Sequence, residues 1–162
     1  QAYRQQYDMN IIYLLPVNLY GPNDNFNPET SHVIPALIRK FIEAKQNNQK
    51  NVINWGSGIP TREFIYVDDA ANSIVSAMEN YDEEEPVNIG SSEEISIKSL
   101  SDKIQNLVGF NGEVIWDRNM PDGQKRRKLD TNLAFDKFGF KASTSLDQGL
   151  EKTIDWYLSE KN

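Results

Sequence analysis

The stretch from Ile11 to Ile38 constrains the fold more than any other part of the chain. It runs a short apolar strand into a Gly-Pro turn, an Asn-rich loop and a helical stripe without a break. Ile11 to Leu15 is the kind of continuous β-prone run that sits inside a parallel sheet. Gly21-Pro22 ends the extended path where the chain must turn. Asn18 and Tyr20 therefore stand at the carboxyl end of a central strand, which is where open α/β sheets bind ligands. Beyond the loop, Ser31 is placed to cap a helix whose Val33, Ile34, Leu37, Ile38, Phe41 and Ile42 form one apolar stripe. Arg39, Lys40, Glu43 and Lys45 fall on its polar face.

The same alternation continues to the end of the chain. Residues 1–9 read as the tail of a helix, with Tyr3 and Tyr7 on one side. A polar tract, Gln46 to Lys50, leads to a strand over Val52–Trp55 and a turn at Gly56-Ser57-Gly58-Ile59-Pro60. A strand over Phe64–Val67 follows, then a helix capped by Asp68 with Ala70, Ala71, Ile74, Val75 and Met78 at helical spacing. Val87-Asn88-Ile89-Gly90 reads as a second parallel strand. Ser96 heads a helix with the stripe Ile97, Leu100, Ile104, Leu107 and Val108, and a strand around Val114–Trp116 comes next. A basic loop, Asp122 to Lys128, precedes a short helix capped by Asp130. Ser145 and Gln148 form a capping box for a last helix that buries Leu146, Leu150, Ile154, Tyr157 and Leu158. Strands alternating with helices predict an α/β architecture with parallel pairing. The sequence contains no Gly-x-Gly-x-x-Gly turn for a pyrophosphate.

Composition closes several routes. One histidine and no cysteine exclude disulfides, a thiol nucleophile, and thiolate or multi-histidine metal centres. At a net charge of −7 the chain lacks the basic face that nucleic acid requires, although a small anion fits if cations cluster locally. No run approaches the roughly 18 apolar residues of a membrane span. The polar start at Gln1 is unlike a signal peptide. These features predict a cytoplasmic setting with no membrane partner, and a start without Met predicts a part of a longer polypeptide.

Several residues invite a chemical role and a plain one. His32 is the side chain suited to proton transfer near neutrality, yet a single His at a helix start often serves structure alone. Arg62 reads either as a surface ion pair with Glu63 or as a guanidinium fork on a diphosphate. Trp55 fills a core or stacks on a base. Lys125-Arg126-Arg127-Lys128 is either a solvated loop or a local phosphate trap in an acidic protein. Asn18 either satisfies turn backbone or orients a ligand. Asp68-Asp69 reads as helix capping, and Asp82 to Glu85 as a solvated run.

Taken together, Asn18-Leu19-Tyr20-Gly21-Pro22, Asp24-Asn25-Phe26, Ser31-His32-Val33-Ile34-Pro35-Ala36-Leu37, Trp55-Gly56-Ser57-Gly58, Arg62-Glu63-Phe64, Val67-Asp68-Asp69, Val87-Asn88-Ile89-Gly90 and Pro121-Asp122-Gly123 carry a resemblance over essentially the whole chain. The sequence resembles the GDP-L-fucose synthases, a family of extended short-chain dehydrogenase/reductases. The Asn-Leu-Tyr-Gly-Pro and Arg-Glu-Phe elements are shared by many nucleotide-sugar enzymes; the Ser31–Leu37 block is narrower. The resemblance implies an enzyme that epimerises GDP-4-keto-6-deoxymannose at C3 and C5 and reduces C4 with NADPH. It implies late strands of a Rossmann sheet in residues 1–30 and 62–92, and a small α/β substrate domain in 31–61 and 93–162. By the same resemblance, His32 is a general acid that also touches NADP(H), and Pro16, Val17, Asn18 and Leu19 face the nicotinamide. Lys40, Trp55, Arg62, Asp122 and Arg126 take the GDP-sugar, no metal is used, and the full-length protein is a homodimer. The family's Gly-rich turn, catalytic Ser, Tyr-x-x-x-Lys pair and epimerisation Cys all precede the position matching Gln1, so the chain alone is expected to be inactive. Asn27, Met120 and Lys40 depart from the expected His, Lys and Arg; at Lys40 the charge remains but the bidentate geometry is lost. Other nucleotide-sugar enzymes of the superfamily, or a non-catalytic sugar-nucleotide-binding module, are the rival readings.

Overall fold

Residues 1–160, the part that the computed structural model describes, alternate strands and helices as the hydrophobic periods require. After a short helix α1 (Ala2–Tyr7), the apolar run forms β1 (Leu14–Pro16) and β2 (Asn18–Tyr20), later than the sequence predicts. The two strands are one extended path that changes neighbour at Val17. β1 pairs in parallel with β5 (Val87–Ile89), and the Val17 N–H still donates to Ile89. β2 pairs in parallel with β4 (Thr61–Tyr66), Asn18 opposite Phe64 and Tyr20 opposite Tyr66.

β4 is the hub. Its first half pairs antiparallel with β6 (Glu94–Ser96) and in parallel with the two-residue β8 (Arg126–Arg127). A separate parallel ladder joins β3 (Asn51–Trp55) to β7 (Glu113–Asp117). β3 alternates as a half-buried strand should, with Val52 and Asn54 inward and Ile53 and Trp55 outward. Buried Asn54 donates to Ser101 Oγ at 3.0 Å, which ties β3 to the neighbouring helix.

Two apolar cores lie on either side of β4, because its residues alternate between them. Phe64 and Tyr66 join Ile34, Ile38 and Phe41 of α2 (Val33–Gln46), Leu100 and Ile104 of α4 (Ile97–Val108), and Leu150 and Ile154 of α6 (Leu146–Glu160). Ile65 faces the other way, to Val17, Val87, Ile89, Ala70 and Ala77 of α3 (Val67–Asn80), and Ala134 and Phe138 of α5 (Asn132–Phe138). Each large side chain buried in these cores contributes about 1.5–3 kcal/mol.

Helix starts differ from expectation in three places. His32, Tyr66 and Thr131 occupy the N-cap positions expected for Ser31, Asp68 and Asp130, and none of the three makes a side-chain cap bond. Asp69 is instead buried, accepting from Ser143 Oγ and the Thr144 N–H at 2.9 Å each. Burial alone would raise its carboxyl, but these donors outweigh it and hold the group below the ordinary aspartate range. The caps at Ser96 and Ser145 form as the sequence predicts, the latter with reciprocal bonds to Gln148. The largest difference is the face of α3. Ala70, Ser73 and Ala77 pack inward, while Ile74, Val75 and Met78 stand 56%, 49% and 69% exposed.

Candidate functional site

A cleft of about 630 Å³ opens where β1 gives way to β2, beside the first half of β4 and the start of α2. Val17, Asn18 and Leu19 form one wall, and His32 to Pro35 form the next. Trp55, Arg62, Phe64, Ile97 and Asp122 complete the lining with Asp24, Gly58, Pro60 and Pro121. The cleft thus sits at the carboxyl end of a parallel strand, where such sheets bind ligands.

The Asn-rich loop is rigid because it bonds to itself. Asp24 Oδ1 accepts from the Asn25 N–H at 2.7 Å, Asn25 Oδ1 from Asn27, and Asn27 Oδ1 from Glu29, both at 2.9 Å. These successive side-chain turns carry the chain from β2 to α2 without regular structure. Asn27, where the resemblance leads one to expect a histidine, is therefore a loop holder here. His32 ends the loop, exposed on the cleft, and its ring enters no hydrogen bond or ion pair among the described residues.

Arg62 does not pair with Glu63, which lies buried on the opposite face of β4. Its Nη1 donates to the carbonyls of Thr61 and Gln124, both at 2.7 Å, which fixes the guanidinium at the cleft wall. The ladder sets Arg127 directly across from Arg62, so both side chains leave the same face of the sheet. Arg126 leaves the other face and forks onto Glu94, 2.8 Å at each end. Those bonds, with one from the Thr61 hydroxyl, hold the Glu94 carboxyl down at about 2.

Asp122 clamps a turn. Its Oδ1 accepts from the Ser57 N–H at 2.6 Å and its Oδ2 from the Ser57 hydroxyl at 2.8 Å. The backbone bond first, then the hydroxyl, holds the Asp122 carboxyl below its usual range. Gly56 has φ +77 and lies so close to this carboxylate that a Cβ would collide with it. Next to the turn, Trp55 is 66% exposed on the cleft, with Lys40 Nζ 5.7 Å from its ring centre. Lys40 also donates to the Ile53 carbonyl at 2.9 Å, and burial, then neighbouring Arg39, lowers its ammonium below the usual range.

The family model described as "NAD dependent epimerase/dehydratase family" matches residues 1–90. The chain belongs to that family. Relatives within it include "Probable GDP-L-fucose synthase 1" of rice, 46% identical over 98% of this chain and 48% of its own length. The "GDP-L-fucose synthase" of Escherichia coli is 39% identical over all of this chain and 53% of its own. A solved GDP-L-fucose synthetase from Naegleria fowleri bound to NADP superposes with a TM-score of 0.86, at 33% identity over 93% of this chain and 47% of that one. The chain spans about half the length of the curated relatives it matches. The fold is the Rossmann type of these epimerases and reductases.

Within this epimerase/dehydratase fold the cleft gathers Val17, Asn18, Leu19, His32, Trp55, Arg62 and Asp122 from five separated places in the sequence. Pro16, Lys40 and Arg126 lie outside the lining. Pro16 pairs with Ile89 in the β1–β5 ladder, Lys40 sits behind Trp55, and Arg126 is held by Glu94. Sequence reasoning missed Asp24, and it read Arg127 only as one member of the basic cluster 125–128. Alternation along a strand singles out Arg127 only once β8 is known to be a strand, and two residues carry no readable period.

Proposed function

We propose that this chain supplies the substrate site of an NADPH-dependent epimerase-reductase that converts GDP-4-keto-6-deoxymannose to GDP-L-fucose. The observation that carries the reading is the convergence in one cleft of a proton carrier, a stacking surface and a fixed guanidinium. His32, Trp55 and Arg62 are those three groups. Arg62 and Arg127 share a face and form a fork for the diphosphate. Trp55 offers its open ring to the guanine while Lys40 stays beside it.

The cofactor end fits as well. Leu19 is 44% exposed beside Asn18, whose Nδ2 is held by the Glu63 carbonyl at 2.9 Å. That bond leaves the Asn18 amide oxygen turned as an acceptor for a carboxamide, so Val17, Asn18 and Leu19 would hold the nicotinamide end. NADPH supplies the hydride that reduces C4 when bound there. Loss of a proton beside the C4 ketone leaves an enolate, and inversion requires a proton delivered to the opposite face. His32 would deliver one proton at each inverted carbon, C3 and C5, and take up a proton from solvent between the two, while the proton lost from each carbon would go to the family's epimerisation Cys, which this chain does not contain. The same reading carries a cytoplasmic homodimer with no metal.

The complete natural polypeptide should consume NADPH only in the presence of the GDP-4-keto sugar. His32→Gln should lower turnover by roughly 10²–10⁴-fold, the range typical of general acid–base groups, with NADPH affinity kept. Deuterium uptake at C3 and C5 from heavy water reads the step directly. Uptake and inversion at the wild-type rate in His32→Gln would sink the assignment.

A further inference from the structure

Two carboxylates are buried among the described residues, Asp69 and Glu63. Glu63, at 0% exposure, forms no ion pair among them, and its carboxylate has had no part in the chemistry described so far. Its Oε1 accepts from the Ser92 N–H at 2.8 Å and its Oε2 from the Leu129 N–H at 2.9 Å. Gly90 lies so close that a Cβ there would collide with Oε1, so the loop after β5 closes around the carboxylate. The backbone carbonyl of the same residue accepts from Asn18 at the far end of the cleft.

A buried carboxylate is tolerable only while its donors stay in place. Glu63 therefore pins three segments at once: β4, residues 90–92 and residue 129. Leu129 directly follows the basic segment, whose other ties to β4 are the Thr61 N–H to the Lys125 carbonyl at 3.0 Å and Arg62 to the Gln124 carbonyl. The two-residue β8 is too short to hold its own register. Its alignment opposite Arg62 depends on these ties together with the fork of Arg126 onto Glu94.

We infer that Glu63 is a positioning residue for the anion end of the cleft. Its carboxylate sets the register of residues 124–129 on β4, and through it the spacing of Arg62 and Arg127. Its carbonyl fixes Asn18 at the opposite end, so one residue sets the span between the two halves of the site. The ligand named in the test rests on the GDP-sugar reading above; the clamp itself does not.

Glu63→Gln keeps the size and one acceptor but turns an amide N–H₂ toward a backbone N–H. In the complete natural polypeptide, hydrogen exchange should quicken in residues 90–93 and 124–130 and stay unchanged in α2 and α6. Unchanged exchange in those two segments, or a uniform rise everywhere, overturns the clamp. Glu63→Asp, too short to reach both N–H groups, is the second variant and should show the same local pattern if Glu63→Gln does not fold. GDP is the probe for the link to the site, with affinity read by calorimetry. Glu63→Gln should weaken GDP roughly tenfold, the size of one charge-assisted hydrogen bond. If Glu63 acts through Arg127, the Glu63→Gln/Arg127→Ala pair loses little beyond Arg127→Ala, whereas Glu63→Gln with Trp55→Ala loses the sum. Additive losses with Arg127 overturn the positioning role. A wild-type protein that does not bind GDP removes the GDP-sugar reading, and the exchange result still decides the clamp.

Discussion

Gly149 puts two opposing effects on one atom. It lies inside α6 where that helix crosses β2 and β4, and a Cβ on it would sit 2.8 Å from Tyr20 Cζ and 3.0 Å from Tyr66 Cδ2. The Tyr20 hydroxyl is nearer still. Helix propensity alone favours Gly149→Ala by about 1 kcal/mol. Overpacking a tight core costs about 1–3 kcal/mol. Tyr20 is 3% exposed and stands edge-on to Phe64 at 6.3 Å and to Tyr66 at 5.8 Å, so neither ring can swing aside. Repulsion wins, and Gly149→Ala should lose about 1 kcal/mol, with an upper bound of about 2 when the propensity gain is subtracted. Denaturant unfolding of the complete polypeptide measures it. In a Tyr20→Phe background the nearest atom is gone and the loss should shrink. A variant at least as stable as wild type, or an equal loss in both backgrounds, refutes the packing argument.

Arg62→Ala should weaken GDP by roughly ten- to a hundredfold, the effect of one strong charge-assisted hydrogen bond, and Arg62→Lys should recover only part of it; calorimetry that finds unchanged affinity returns Arg62 to a structural role. Asp122 titrates low because Ser57 donates to it twice, so the stabilisation is complete above the ordinary aspartate range and is lost as pH falls through the depressed value. The Ser57 amide shift, followed by NMR, should titrate below about 3.9; a midpoint at the ordinary value contradicts the clamp. Ser145→Ala removes half of the capping box on α6 and should cost about 1 kcal/mol. Unchanged unfolding would mean that the 3.3 Å bond from the Gln148 N–H to Ser145 Oγ contributes nothing there.

Much of the fold could be read from periodicity, and its failures have physical causes. The stripes of α2 and α4 predicted their buried faces because large residues filled them. On α3 the pattern pointed the wrong way. The helix presses its small residues, Ala70, Ser73 and Ala77, against the sheet, and a search for large apolar residues finds the opposite face. Caps misled because Ser31 and Asp130 have the right chemistry one residue from where the backbone turns, and Asp68 two residues from it. At the site, His32, Trp55 and Arg62 were found by chemistry and resemblance. The division of labour between Arg126 and Arg127 was hidden, since it depends on which neighbour each meets across a ladder. Asp122 was recognised as a site residue, but its hold on Ser57 joins positions too distant in sequence for local reasoning to connect.

The change of neighbour at Val17 has a consequence for how such a chain can vary. Residues 14–16 are in step with β5 and residues 18–20 with β4, with one residue between the two registrations. An inserted or deleted residue there would reverse the side-chain order of one ladder, turning Asn18 and Tyr20 together off the face they share and Leu19 onto it. Residues 46–50 and 82–85 carry no such double registration and can lengthen or shorten at small entropic cost. Variation along the Val17–Leu19 wall of the cleft is therefore confined to exchanging side chains on a path of fixed length, while those two loops are free to change size.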